Sequence, residues 1–210
     1  MTKFTKPISI EFHEDDLPDG LSFGNRVAID TETQGLNPHR DRLCLGQFSA
    51  GDGICHLVRF KRDVADAPNI KALMTDPGVS KMFHYARFDV AIFQKTFGIN
   101  VSPVYCTKIA SRLARTYTGG HGLKDVVREL VGVELSKVQQ SSDWASDNLS
   151  DEQLEYAAFD VLFLHEVREK LDLILQREGR QEMAEDCFRF LETRCKLDLE
   201  GWADTDIFSH

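Results

Sequence analysis

The chain is 210 residues long, 42% hydrophobic and 28% charged, enough apolar material for one sizeable core and too much for an intrinsically disordered polypeptide. Its formal net charge of −9 argues against the broad basic face that holds long duplex DNA or RNA, yet leaves room for a short nucleic acid held through metal ions. No apolar run reaches bilayer length, the N-terminal stretch has no leader-like apolar core, and the five cysteines lack any CxxC pair, so a cytoplasmic chain with reduced, buried cysteines and no membrane partner is expected.

Residues 8–12 alternate weakly between apolar and polar, and EDDLPDG after them reads as a loop. RVAID (26–30) is a short apolar run of buried-strand type, and TQGLNPHRD is turn chemistry with Gly35, Asn37 and Pro38 as breakers. RLCLGQFSA and GICHLVRF predict two strands joined through the turn at GDG. A short helix at 68–74, a turn at 76–78 and a strand at VSKMFHY follow. ARFDVAIFQKTF predicts a helix over 86–97 with Gly98 as its C-cap. Further helices are expected at 106–116 and 123–131, and a loop at SKVQQSSDWASDNLS. LSDEQLEYAAFDVLFLHEVREKL reads as one helical run opened by a capping box from Ser150 to Gln153. A last helix at 182–193 precedes a tail. Strands first and helices later predict an α/β domain with a mixed central sheet flanked by helices.

Four acids stand in apolar settings along this order. Asp30 and Glu32, two apart at a strand end, point the same way. Asp89 falls early in the 86–97 helix. Tyr156 and Asp160, four apart, share one helix face. Taken singly, each reads equally as a surface acid, a residue offsetting a helix dipole, or a salt-bridge partner. Together they form an oxygen-only, highly negative ligand set that suits Mg²⁺ or Mn²⁺, and two such ions can clamp both oxygens of a phosphoryl displacement. The absence of a Cys/His cluster argues against a zinc site.

AIDTETQGL, HYARFD and EYAAFDV resemble the three motifs of the DEDD (DnaQ-like) 3′-5′ exonuclease superfamily, in the Tyr-containing subclass typified by ribonuclease D. HRDRLCLGQFS, CTKIASRLARTYTGGHGLKD, SKVQQSSDWA and LDLEGWADTDIFSH extend the likeness over nearly the whole chain to the nanoRNase C family of short ribonuclease-D-like enzymes. The resemblance implies a ribonuclease-H-like fold, one exonuclease domain over residues 1–210 with no added helical RNA-binding domain, and a 3′-5′ exoribonuclease releasing nucleoside 5′-monophosphates. It implies two divalent ions, Mg²⁺ or Mn²⁺. Asp30 would bridge both, Glu32 and Asp160 would complete the first site, Asp89 would reach the second, and Tyr156 would orient the attacking water.

The same resemblance makes Leu36 an apolar wedge between bases, where the alternative is a turn leucine packed on the core. It makes His84 a substrate contact, where the alternative is a satisfied core histidine. Gln140, Ser141 and Ser142, with Lys137 nearby, are candidates for holding a 5′-phosphate, or are simply a polar loop. Arg112, Arg115, Lys124 and Arg128 form a local basic band or a solvated helix face. Short RNA, preferentially diribonucleotides, is the expected substrate and a homo-octamer ring the expected assembly, with Trp202, Ile207 and Phe208 as a subunit contact or as a tail docked on its own domain. A general exonuclease on longer RNA or single-stranded DNA would share this chemistry. A non-catalytic binding module would lack at least one of the four acids, and all four are present.

Overall fold

The computed structural model describes residues 9–62, 66–136 and 138–210. Its strands are β1 (Ser9–Glu14), β2 (Arg26–Thr33), β3 (Leu43–Ser49), β4 (Ile54–Arg59), β5 (Ser80–Phe83) and β6 (Val104–Cys106). They form one sheet in the order β1-β4-β3-β2-β5-β6. β2 and β4 run antiparallel to β3, while β1 with β4, β5 with β2, and β6 with β5 are parallel, so the sheet is mixed as expected. β3 is buried along its whole length, which explains its near-continuous apolar sequence. The alternation expected from Ile8 is seen as β1; Ile8 itself lies outside the described residues.

The helices are α1 (Pro68–Thr75), α2 (Ala86–Phe97), α3 (Thr107–Ala114), α4 (Leu123–Leu130), α5 (Asp151–Leu162), α6 (Leu164–Arg177) and α7 (Gln181–Leu197). α2 ends at Gly98 with φ of 65°, the left-handed cap its sequence predicts. Alternation along β2 puts Asp30 and Glu32 on one face of the sheet and Ile29 and Thr31 on the other. α2 lies on the Ile29 face, where its Phe93 ring meets Phe48 at 6.5 Å. α5 lies on the Asp30 face.

Two expectations are corrected, and one short strand carries no sequence signal. The single helical run through residue 160 breaks at Phe163 (φ −100°, ψ −8°) into α5 and α6. Val161, Leu162, Phe163 and Leu164 are all buried, and four consecutive residues cannot all lie on the covered side of one straight helix. β6 has three residues, too few to carry a periodic signal, and the sequence analysis passes over it. The last helix runs to Leu197 and continues into a π-helical turn, Asp198–Trp202, so part of the expected tail is helical. Asp198 anchors that turn: Arg87 donates to it at 2.6 and 2.8 Å, and Arg194 Nε at 2.9 Å.

Candidate active site

β2 carries Asp30 and Glu32 to its C-terminal end, where the pairing with β3 shifts register between Glu32 and Thr33. α5 delivers Asp160 in its last turn, and carboxylate oxygens of Asp30, Glu32 and Asp160 lie within 4.8 Å of one another. Asp89 arrives from the other face, in the first turn of α2. It is 3% exposed, and Thr31, which points to that face, donates its hydroxyl to Asp89 Oδ1 at 2.6 Å. The four acids thus straddle the end of β2, two supplied by the strand and one by each flanking helix.

Like charges packed this closely repel. Burial, then the charges of Asp89, Asp160 and Glu32, push the Asp30 carboxyl far above the usual range. Burial, then Asp160 and Asp89, raise Glu32 to about 9. Asp89 and Asp160 are each pushed up to about 7, mainly by burial, with the Thr31 hydroxyl and the Tyr156 hydroxyl respectively opposing the shift. Burial and the same carboxylates raise the Tyr156 phenol, which therefore keeps its proton at neutral pH. A compact, oxygen-only trio destabilised by its own charge is the donor set a hard divalent cation satisfies, so the residues fit the metal expected of them.

These side chains line a cleft of about 600 Å³ together with Leu36, His84, Gln140, Ser141 and Ser142. Every site residue read from the sequence meets there; Lys137 lies outside the described residues. Leu36 is 86% exposed, which rules out the core-packed alternative. The Asp41 carboxylate braces its loop by accepting from Asn37 N at 2.9 Å and Arg40 Nε at 2.7 Å. Gly35 permits that approach, since a Cβ there would collide with the Asp41 carboxylate. His84 is not a satisfied core histidine either. Thr107 gives its only hydroxyl proton to Phe83 O at 3.1 Å and so accepts from His84 Nδ1 at 2.8 Å, while His84 Nε2 is buried without a partner. Burial, then Lys108, pushes His84 down to about 3, so it is neutral.

Tyr85, Lys108 and Trp144 also line the cleft, though nothing local in the sequence marks them as site residues. Tyr85 begins α2 in the left-handed region (φ 77°, ψ 44°), a conformation costly for a non-glycine residue, with Lys108 Nζ 4.3 Å above its ring. Trp144 packs on Tyr156 with centroids 6.0 Å apart. HYARFD marked the region of Tyr85, but no periodicity signals a left-handed residue. The basic band is corrected. Arg115 is 1% exposed and tied to Glu129, Ser111 and Gly120, and Arg128 pairs with Asp125; of the four, Lys124 faces the cleft.

A mixed six-stranded sheet with a carboxylate cluster at the end of its second strand, flanked by helices on both faces, is the architecture of the ribonuclease-H-like exonuclease fold. The chain belongs to the 3′-5′ exonuclease family, whose model matches residues 6–176, and within it is of the ribonuclease-D-like kind. Brucella melitensis NrnC bound to pGG is 52% identical and superposes with a TM-score of 0.94 over 97% of this chain and 99% of that one. The same protein with bound Mg²⁺ is 51% identical, with a TM-score of 0.93 over 97% and 100% of the two chains. Ribonuclease D of Acidiphilium cryptum is 32% identical over 84% of this chain and 45% of that protein, so the chain spans about half the length of the curated relatives it matches.

Proposed function

We propose that this chain is a 3′-5′ exoribonuclease acting on very short RNA, preferentially diribonucleotides, and releasing nucleoside 5′-monophosphates. The observation that carries the reading is one cavity of about 600 Å³ holding all four carboxylates, Tyr156, the exposed Leu36 and the polar residues Gln140–Ser142. That is the size of a small-ligand site, whereas a processive enzyme needs an extended basic track. The likeness to NrnC bound to pGG supports the same substrate class.

Asp30, Glu32, Asp89 and Asp160 would hold two divalent ions, Mg²⁺ or Mn²⁺, which when bound would supply positive charge to the reacting oxygens of the phosphodiester. Tyr156, protonated, orients the attacking water and does not serve as the base. Leu36 separates the two bases. His84 Nε2, a buried acceptor, takes a hydrogen bond from a substrate hydroxyl. Gln140 and Ser141 donate to the 5′-phosphate; Ser142 must first turn away from Gln139, to which its hydroxyl donates at 2.5 Å. Lys108 and Lys124 add the positive charge that the overall composition lacks.

Initial rates on two-nucleotide and seven-nucleotide RNA of the same sequence test the reading. Strong preference for the two-mer is expected; equal rates would favour the general exonuclease on longer RNA or single-stranded DNA. A cytoplasmic homo-octamer ring is proposed as the working assembly. Its support is the exposed apolar surface of Trp202, Ile207 and Phe208 beside Phe190.

A further inference from the structure

On the sheet face turned away from Asp30 and Glu32, three metal-ligating side chains converge between the outermost strand and its neighbour. The parallel register sets Glu11 of β1 beside His56 of β4, and His13, two residues further on, points to the same face. His13 Nε2 lies 3.1 Å from His56 Nδ1, and Glu11 Oε2 lies 3.3 Å from that same nitrogen. The three ligand atoms fall within 4.8 Å of one another, and the two imidazole centroids are 5.4 Å apart. The His56 side chain is 7% exposed and is walled by the Phe23 ring at 5.6 Å, whereas Glu11 opens to solvent and gives an ion a way in.

A hydrogen bond joins the two imidazoles at His13 Nε2 and His56 Nδ1, and Glu11 Oε2 approaches the same His56 nitrogen, so two ring nitrogens and one carboxylate oxygen gather at one point. Around a tetrahedral zinc ion with Zn–N near 2.0–2.1 Å, neighbouring ligand atoms stand about 3.3–3.4 Å apart. Two of the three separations, 3.1 and 3.3 Å, are near that spacing and the third is within 4.8 Å, so binding requires the imidazoles to turn toward the ion.

We infer that Glu11, His13 and His56 form a second metal site, selective for a borderline transition-metal ion of the Zn²⁺ type and separate from the catalytic carboxylates. The chemistry divides the two sites: imidazole nitrogens favour Zn²⁺, while the oxygen-only set of Asp30, Glu32 and Asp160 suits Mg²⁺. The ion pins β1, an edge strand among the described residues, to its neighbour β4. It therefore acts on stability and not on the chemistry of the cleft.

The test uses the full chain, stripped with chelator and then kept in excess Mg²⁺ to occupy the carboxylates. Titration with Zn²⁺ should load about one further ion per chain and raise the Tm, and Co²⁺ should give the intense visible absorption of a four-coordinate nitrogen and oxygen site. His13→Ala and the solvent-facing Glu11→Gln should each lose the additional zinc, the Tm rise and the cobalt band while keeping Mg²⁺-dependent hydrolysis. Glu11→Gln keeps the test decisive should His13→Ala fold poorly. Equal zinc uptake and an unchanged cobalt band in wild type and variants would overturn the site. So would a wild type that takes up no zinc beyond its variants.

Discussion

Asp160 and Tyr156 stand one helical turn apart on α5, and their proposed roles differ because a carboxylate can ligate a cation whereas the phenol retains its proton. Asp160→Asn removes a metal ligand and should lower turnover by about a thousandfold or more, the scale on which preorganised electrostatic partners act. It also removes one like charge from the crowded trio, so the metal-free variant should melt no lower than wild type. Tyr156→Phe should lower kcat while leaving Mg²⁺ affinity intact. Calorimetric Mg²⁺ titration beside single-turnover kinetics separates the two, and near-wild-type turnover in Asp160→Asn would sink the assignment.

The elements aim these residues, and the loop after β2 is the most exacting. It leaves the strand at a bulge, turns at Gly35 and is braced by Asp41, so that Leu36 stands in the cleft instead of collapsing onto the core. Hydrogen bonds from Arg40 and Asn37 hold the Asp41 carboxyl down at about 2, so the brace survives across the working pH range. Gly35→Ala sets a methyl against that carboxylate and should raise KM for a dinucleotide several-fold with little change in kcat. Equal loss in kcat would mean that the loop does more than position substrate. α5 is exacting in another way: its capping box, with Ser150 N donating to Gln153 Oε1 at 2.9 Å, fixes the helix start and thus the turn on which Asp160 falls.

For the whole molecule, the carboxylate cluster makes stability depend on pH and metal together. In the metal-free protein Asp89 and Asp160 lie at about 7 and Glu32 at about 9, above their unfolded values, chiefly through burial. The folded chain then binds more protons than the unfolded one, and stability falls as pH rises from about 4 toward about 9. Melting in chelator should drop by several degrees between about pH 5 and about pH 8, and Mg²⁺ should remove most of that slope. A flat profile in chelator would count against the cluster's geometry. Light scattering tests the assembly: the octamer is expected, and a monodisperse monomer would rule it out.

What the sequence determined by itself is local or strongly patterned. Asp-x-Glu on a strand, the Tyr156 and Asp160 spacing, the Ser150 capping box and the Gly98 cap each follow from a period or a cap within a few residues. The fold class and the four acids were legible for that reason. The tertiary structure decided what depends on residues far apart in the chain. It exposed Leu36, left His84 Nε2 without a partner, buried Arg115 against Glu129, broke the long helical run at Phe163, and brought Tyr85 and Lys108 to the cleft. It also set Glu11 and His13 against His56, more than forty positions away along the chain. No local pattern encodes such meetings, because they are fixed by strand order and by which face of the sheet each helix covers.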